Sequence, residues 1–289
     1  MPPSILYHAN FLDWRTIRCG AAAGGTLISA KSDVYPYTIS FIIPALNEER
    51  VVETVLKQVM ERVGGRFADY EVILVDDGST DRTGEIMERV AAGHEKVRVL
   101  HNPKNLGFGS SYQRGLREAR FDYVMLLCGD GGLPAASLPA IFAQIGEADI
   151  VVPWMLNLRE IKSLGRFLLS RIYTTLLNLL FGLRLHYYNG LPVHRRDLLQ
   201  RIEITSGGFG FQAEILVKLI KSGCTFVEVG VNGAEEKGRS FAMRPGNWMS
   251  VGRTILHLIK EVNRFMPVPA EFVARRPIGS AAKRVAPPD

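Results

Sequence analysis

The chain has 289 residues, an apolar fraction of 47% and a formal net charge of +6. This length favours one large domain, or one and a half, over three small ones. The three cysteines are too few and too far apart for a disulfide framework, and a reducing compartment fits them. The positive charge predicts anionic partners, for which phosphates, nucleic acid and an acidic membrane surface are the candidates.

The two ends of the chain differ from its middle. We expect residues 1–36 to be a poorly ordered extension and residues 267–289, rich in Pro, Ala and Arg, to be a disordered tail. One folded domain is expected over 37–245, followed by an amphipathic helix over 246–266. No segment reaches the roughly 18–20 uninterrupted apolar residues of a membrane span, and the N-terminus makes a poor signal peptide.

Short apolar runs alternate with helical patterns between these ends. The predicted strands are 38–43, 71–75, 97–100, 123–127, 149–153 and 226–231. The predicted helices are 48–63, 80–93, 110–119, 137–146, 160–182, 211–222 and 248–265. Continuous apolar strands separated by amphipathic helices are typical of a doubly wound α/β domain, with a mostly parallel sheet and flanking helices. Ligands of such sheets bind at the carboxyl ends of the strands.

Polar or acidic groups follow the first four predicted strands. Pro44 ends the first, and Asn47 after it can cap the next helix. Asp76 and Asp77 follow the second strand, where they either form a tight turn or hydrogen-bond a base and a ribose hydroxyl. The glycines after the third strand either make a turn or clear space for a ligand. Asp130 follows the fourth, so we expect all these groups at one edge of the sheet.

Four segments carry a family resemblance. They are FIIPALNEERVV (41–52), EVILVDDGSTDRT (71–83), NLGFGSSYQRGLREAR (105–120) and MLLCGDGGLPA (125–135). Their order and spacing resemble the signature of family 2 glycosyltransferases with the GT-A fold, a nucleotide-diphospho-sugar transferase fold. Within the family, the dolichol- or polyprenyl-phosphate mannose synthase branch is the most similar. The resemblance covers about residues 38–245.

The resemblance implies a nucleotide-sugar cleft. Pro44, Ala45 and Glu48 would line the nucleotide pocket, Asp76 and Asp77 would meet the base and ribose, and Gly107 would let the backbone approach. Asp130 would contribute to both the nucleotide and the catalytic site by carrying Mg²⁺ or Mn²⁺ on the sugar diphosphate.

The chain departs from the family where the metal is expected. The family's Asp-x-Asp-x-Gln is similar to Cys128-Gly129-Asp130-Gly131-Gly132 here, so two polar groups are replaced. A thiol is a poor ligand for Mg²⁺, whereas Asp130, two diphosphate oxygens and water still complete an octahedron. We therefore expect that, in the absence of nucleotide, this chain binds the metal more weakly than the family pattern would. A degenerate or metal-independent site is the alternative.

The acceptor side is less clearly marked. Gln212 and Glu214 either cap a helix or, as catalytic candidates, face the sugar or the acceptor. In this family the acceptor can be a lipid phosphate, which is already ionised and needs cations more than a general base. The candidates, with a solvated basic face as the alternative, are Arg195, Arg196, Lys237, Arg239 and Arg244. In addition, His186 and Asn189 stand where the family pattern D-x-x-S-G has Asp and Ser.

An apolar stripe at helical spacing runs along residues 161–183. Its members are Ile161, Leu164, Leu168, Ile172, Leu176, Leu179 and Leu183. Basic residues are interspersed, and no acidic residue lies between Glu160 and Leu183. The stripe predicts either a core helix or a helix lying on an anionic membrane surface, to which residues 248–266 contribute. We expect a peripheral protein on the cytoplasmic face of a membrane.

The resulting functional hypothesis is an inverting, metal-assisted glycosyltransferase. It moves a hexosyl group from a GDP- or UDP-sugar to a polyprenyl-phosphate-type lipid, with Mg²⁺ or Mn²⁺ as the cofactor. One alternative keeps the donor but uses a hydroxyl acceptor on a glycan or small natural product. Another is a non-catalytic module that binds a nucleotide sugar. We expect no nucleic-acid partner, because no recognition module accompanies the positive charge.

Overall fold

The computed structural model describes residues 34–208, 210–234 and 245–261. Its strands are β1 (Tyr35–Ala45), β2 (Phe67–Asp76), β3 (Val97–His101), β4 (Tyr123–Leu126), β5 (Ile150–Met155), β6 (Val193–Arg195) and β7 (Phe226–Val231). Its helices are α1 (Val52–Val63), α2 (Thr83–Ala92), α3 (Phe108–Glu118), α4 (Leu138–Phe142), α5 (Leu158–Ile161), α6 (Leu164–Phe181), α7 (Arg196–Leu199), α8 (Phe211–Lys221) and α9 (Pro245–Glu261).

The strands form one sheet in the order β3-β2-β1-β4-β6-β5-β7. Every pairing is parallel except those of β6, which runs antiparallel to β4 and β5. The mostly parallel α/β sheet predicted from the sequence is confirmed. Strand β6 was not predicted, because three residues are too few to show a strand period.

The centre of the sheet is covered on both faces. In β1, the seven consecutive residues from Ile39 to Ala45 are buried. Successive side chains of a strand point to opposite faces, so an unbroken buried run requires packing on each side. The apolar run of β1 therefore places its carboxyl end, at Pro44 and Ala45, in the middle of the carboxyl edge.

The predicted helix over 160–182 is divided in two. Leu158–Ile161 forms α5 and Leu164–Phe181 forms α6, because Lys162 and Ser163 have extended backbone angles. Gly182 ends α6 in the left-handed conformation, with φ of 62°, which glycine adopts at little cost. Asn47 does not cap α1 as predicted. Its side-chain oxygen instead accepts a hydrogen bond from the Thr80 amide, at 2.8 Å.

The predicted boundaries are met only in part. Tyr35 and Pro36 belong to β1, so the sheet begins inside the segment predicted as a poorly ordered extension. Residues 1–33 and the predicted tail over 267–289 lie outside the described residues. The helix predicted over 246–266 is present as Pro245–Glu261. Among the described helices, none combines the length and apolar character of a membrane span.

Candidate active site

The carboxyl ends of β1, β2 and β4 meet. The Asp77 amide donates to the Ala45 carbonyl at 2.9 Å, and the Gly129 amide donates to the Pro44 carbonyl at 3.3 Å. A Cβ on Gly129 would lie only 2.8 Å from the Ala45 Cβ, so a larger residue would push the loop after β4 away. The structure thus brings Pro44, Ala45, Asp77 and the loop carrying Asp130 to one edge, which we call the donor edge.

Acidic side chains cluster on the donor edge. Burial, together with the neighbouring carboxylates of Asp130 and Asp81, raises the pKa of Glu48 to about 6. Asp130 is exposed, and its Oδ1 accepts a hydrogen bond from the Gly132 amide at 2.9 Å. Carboxylates that repel one another in this way favour a bound cation.

The side chains at the donor edge can hold a metal ion only if a bound ligand supplies further oxygen atoms. Within the described ranges, no three His, Cys, Asp or Glu side chains form a complete metal site. Glu48 and Asp130 supply hard oxygen atoms, which Mg²⁺ and Mn²⁺ prefer. Mg²⁺ commonly binds through one or two carboxylates plus substrate phosphates. This donor set therefore fits a metal that is held jointly with a diphosphate.

Asp76 lies at the donor edge in a network that the sequence analysis missed. Its Oδ1 accepts from the Ser79 amide at 3.0 Å, and its Oδ2 lies 3.0 Å from His101 Nδ1. His101 Nε2 lies 2.8 Å from Glu88 Oε1. Burial alone would raise the pKa of Asp76, but the contacts with Ser79 and His101 outweigh it and lower the pKa.

Asp77 and Gly107 shape the loop after β3. Asp77 Oδ1 accepts from the Leu106 amide at 2.9 Å, and its Oδ2 accepts from the Gly107 amide at 3.0 Å. Gly107 has φ of 96°, and a Cβ there would lie 3.0 Å from the Gly207 carbonyl oxygen. Residue 107 must therefore be a glycine because the 206–208 segment packs closely against it. Direct contacts of Asp77 and Gly107 with a nucleotide stay predictions.

Glu214 does not face the site as a catalytic group. It is fully buried and forms an ion pair with Lys218 at 2.7 Å. Its oxygens also accept from the amides of Thr205 and Ser206, at 2.9 and 2.8 Å. Burial would raise the pKa of Glu214, but Lys218 and Thr205 hold it below its ordinary value. The segment that Glu214 holds precedes Gly207, and the Gly207 carbonyl accepts a hydrogen bond from the Gly109 amide at the start of α3. Glu214 therefore has a structural role, because it stabilises the segment that packs on the start of α3.

Gln212 is the other candidate on α8. It is 7% exposed, and its Oε1 has no hydrogen-bond partner among the described residues. A buried amide oxygen without a partner is costly, so a ligand or water that donates to it would be stabilising. Its role at the site stays a prediction.

The predicted phosphate-binding arginines lie at the opposite edge. Arg195 pairs with Tyr123, the first residue of β4, and its guanidinium contacts Asp149 and Asp197 at 3.0 and 2.7 Å. Arg196 donates to the Phe121 carbonyl at 2.8 Å. Because β6 is antiparallel, it carries these residues away from Asp130, and their assignment to an acceptor phosphate is corrected. Lys237, Arg239 and Arg244 lie outside the described residues.

A cationic cavity lies between α6 and the segment that follows it. It has a volume of about 560 Å³, and its lining includes Arg171, Arg184 and His186, while none of the described residues that line it is acidic. Glu228 of β7 accepts hydrogen bonds from both the amide and Nδ1 of His186, each at 2.8 Å. His186 also stacks on Trp154 of β5, with the ring centroids 4.6 Å apart. The sequence pointed to this cavity only through His186 within HYYNG. The partner of His186, Glu228, is 42 residues away in the sequence, so their contact could not be predicted from a local pattern.

The predicted apolar stripe faces solvent on α6. Leu164, Leu168, Ile172, Leu176 and Leu179 are between 42% and 78% exposed. The buried side of α6 is formed instead by Thr174, Leu177 and Phe181. The interpretation of the stripe as the inner face of a core helix is therefore wrong.

The mostly parallel α/β sheet with its acidic carboxyl edge agrees with the nucleotide-sugar transferase type of fold that the sequence predicts. The family model of Glycosyl transferase family 2 matches residues 40–202, which is more than half of the chain. The chain therefore belongs to glycosyl transferase family 2. This confirms the family resemblance and the fold class, and the predicted enzyme class is that of the family.

Named relatives fit the polyprenyl-phosphate branch. The chain is 28% identical over 214 residues to the undecaprenyl-phosphate mannosyltransferase of Micrococcus luteus, covering 68% of this chain and 83% of that protein. It is 31% identical over 109 residues to a dolichyl-phosphate beta-glucosyltransferase of Trichomonas vaginalis, covering 36% of this chain. The matched regions span only 32% and 48% of the lengths of two such Trichomonas proteins.

A solved structure shows the same fold. Glucosyl-3-phosphoglycerate synthase from Mycobacterium tuberculosis, in complex with Mn²⁺, UDP and phosphoglyceric acid, matches with a TM-score of 0.59 and 23% identity. The match covers 77% of this chain and 78% of that one. At this identity the similarity supports the arrangement of the elements and not the substrate.

Proposed function

We propose that this protein transfers a hexosyl group, with inversion, from a GDP- or UDP-sugar to a polyprenyl-phosphate-type lipid. The observation that carries the proposal is the pairing of an acidic donor edge with a separate cationic cavity beside an exposed apolar helix. A nucleotide sugar and a lipid phosphate require these two environments. The named polyprenyl-phosphate relatives support the same acceptor class.

The donor edge provides what a sugar diphosphate needs. Mg²⁺ or Mn²⁺ at Asp130, with Glu48 nearby, would supply the positive charge that stabilises the leaving nucleoside diphosphate. Asp76 accepts from the amide and the hydroxyl of Ser79 and contacts His101, and a carboxylate accepts about four hydrogen bonds in all. It can therefore still accept from a base or ribose of the donor.

The cationic cavity suits the phosphate of the acceptor. Arg171 and Arg184 line it, so two charged donors are available to an anion. His186 lies over Trp154 near the end of β5, and β5 ends at the same edge of the sheet as β4. A phosphate bound in this cavity would therefore approach the sheet on the side of the donor edge.

The exposed stripe on α6 suits the lipid part of the acceptor. Leu179 also lines the cationic cavity, so an apolar surface and the phosphate site are continuous. Large exposed apolar surfaces are rare unless they bind a partner. The net charge of +6 favours an anionic lipid surface over another apolar partner. We therefore propose peripheral binding to the cytoplasmic face of a membrane through α6, with α9 contributing.

A hydroxyl acceptor is the second candidate, and one observation favours it. Glu228 fixes the orientation of His186 through Nδ1, which leaves Nε2 directed away from the carboxylate. A carboxylate-oriented imidazole is a common general base. With an alcohol as acceptor, Nε2 would take the hydroxyl proton as the oxygen attacks the sugar.

The test is transfer of radiolabelled sugar from GDP-mannose or UDP-glucose, in the presence of Mg²⁺, to undecaprenyl or dolichyl phosphate. The proposal predicts label in the organic phase. Arg171→Gln and Arg184→Gln should each raise the KM for the lipid phosphate about tenfold, because a charge-assisted hydrogen bond contributes roughly 1.5–3 kcal/mol. Arg117→Gln, on the exposed end of α3, is the matched control. Label that enters only water-soluble alcohols would overturn the lipid acceptor in favour of the second candidate.

A further inference from the structure

The contact between Asp76 and His101 joins three elements beside the donor edge. Asp76 ends β2, His101 ends β3, and Glu88 lies on α2. Both ring nitrogens of His101 are at hydrogen-bond distance from a carboxylate, at 3.0 and 2.8 Å. A neutral imidazole has only one N–H, so both contacts can be hydrogen bonds at once only in the imidazolium form.

Further features of the fold fit this charged arrangement. Gly84, in the first turn of α2, leaves room for it, because a Cβ there would lie 2.7 Å from Asp76 Oδ2 and 3.2 Å from His101 Cε1. Arg114 of α3 also contacts His101, and its guanidinium donates to the His101 carbonyl oxygen rather than to the ring. The contacts with Glu88 and Asp76 raise the pKa of His101 above its ordinary value.

We propose that His101 is a positioning residue for the donor: as an imidazolium held by Glu88, it orients Asp76 at the donor edge. Affinity for the nucleoside diphosphate then falls as His101 loses its proton. The inference rests on the proposed function, because it requires a nucleotide at this edge. The neutral ring keeps only one of its two hydrogen bonds, so Asp76 loses either its partner or the charge that fixes its direction.

Calorimetric titration with UDP and GDP in Mg²⁺, from pH 6.5 to 8.5, tests this inference. We expect the Kd of the preferred nucleotide to rise about 3- to 10-fold across this range, since loss of one charged hydrogen bond changes binding by roughly 1 kcal/mol or more. His101→Gln, which cannot titrate, should remove the rise. His94→Gln, an exposed histidine past the other end of α2, should retain it.

Two further variants distinguish a role of His101 in positioning Asp76 from a role in stabilising the fold. Glu88→Gln keeps the shape of an exposed side chain but removes a charge that favours the imidazolium, so the rise in Kd should move to lower pH. Gly84→Ala should weaken nucleotide binding at every pH, because its Cβ displaces Asp76 and His101. The melting temperature of each variant, measured without nucleotide, shows whether it is folded.

The outcomes are distinct. A rise in Kd that is identical in wild type and His101→Gln overturns the inference while leaving the proposed function intact. Uniformly weaker binding in His101→Gln, with the pH dependence retained, also overturns it and assigns His101 a structural role. If the wild-type chain binds neither nucleotide at any pH, the proposed function fails and the inference with it. If His101→Gln does not fold, the shift expected for Glu88→Gln decides.

Discussion

The donor edge and the β5–β7 side of the sheet differ in how their acidic side chains are partnered. At the donor edge, the charged neighbours that act on Glu48 are two further carboxylates, Asp130 and Asp81. On the other side, each of three acids meets a basic side chain: Glu214 meets Lys218, Asp149 meets Arg195, and Glu228 meets His186.

This difference in partners distinguishes acidic residues that stabilise the fold from acidic residues that bind a ligand. An acid matched by a base has little to gain from a bound cation, whereas mutually repelling carboxylates are stabilised by one. We infer that folding uses the buried matched acids Glu214 and Asp149, and that the cation of the donor binds at the cluster of Glu48 and Asp130. Asp76, which is matched by His101, serves the donor through hydrogen bonds instead. The following predictions test this distinction, beginning with the largest expected effect.

Removing a matched acid should cost stability. Glu214→Ala leaves the Lys218 ammonium buried beside the Glu203 carbonyl without its carboxylate partner. We expect the free energy of unfolding to fall by about 3–5 kcal/mol, as is usual when one member of a buried pair is lost. Urea unfolding measures it, and Glu203→Ala, whose side chain is exposed, is the control. Lost turnover with an unchanged urea midpoint would restore the catalytic interpretation of Glu214.

The sequence analysis succeeded at the donor edge for a physical reason. Pro44, Asp76, Asp77 and Asp130 each follow directly on an apolar strand, and parallel strands that neighbour one another end at the same edge. The local sequence pattern was therefore enough to predict that these residues lie at the same edge of the sheet. His101 follows the strand predicted over 97–100 in the same way, but the pattern did not show that its ring contacts Asp76. That contact depends on the pairing of β2 with β3, which is a long-range feature.

The other side of the sheet was harder to predict because it depends on reversals of chain direction. Arg195 and Arg196 were assigned to a phosphate because they are basic, but the antiparallel β6 carries them to the opposite edge. Glu214 was placed correctly at a helix start, yet its Lys218 partner one turn later and the 205–206 amides use up its oxygens. Sequence spacing shows which side chains share a helix face but not which loop packs on that face.

A buried histidine on the missed strand β6 should make stability sensitive to acid. Burial lowers the pKa of His194 to about 3, and neither ring nitrogen has a hydrogen-bond partner within the described part of the chain. Below pH 6.5 the unfolded chain binds a proton here and the folded chain does not, so stability falls as the pH falls. We expect His194 alone to contribute a loss of about 2 kcal/mol between pH 7 and pH 5.

Urea unfolding of His194→Leu at the two pH values isolates this contribution. The difference in unfolding free energy between pH 7 and pH 5 should shrink relative to wild type, whatever the absolute stability of the variant. Glu48 and His101, whose pKa values are raised, also act in this pH range, but they do so equally in wild type and His194→Leu, so the comparison removes their contribution. An unchanged difference would mean that His194 is protonated in the folded protein. The control is His94→Leu, at an exposed position.

The smallest expected effect concerns the stripe on α6. Leu179 is 78% exposed, and Leu179→Gln removes apolar surface without adding charge. We expect binding to anionic lipid vesicles to weaken about tenfold, since a buried leucine contributes roughly 1.5 kcal/mol or more. Val34→Gln, at a site ahead of β1 that is 54% exposed, should bind as wild type does. Equal loss in both variants would contradict a specific role for α6.

The central claim is that the carboxylates of the donor edge bind a nucleoside diphosphate together with a divalent cation. The most direct measurement is calorimetric titration of UDP and GDP, with and without Mn²⁺, into wild type, Asp130→Asn and Asp122→Asn. Asp122 is an exposed acid at the other end of β4 and serves as the matched control. The account predicts Mn²⁺-dependent binding of one nucleotide in wild type and Asp122→Asn, weakened about 100-fold in Asp130→Asn. Mn²⁺-dependent binding that survives in Asp130→Asn would contradict it.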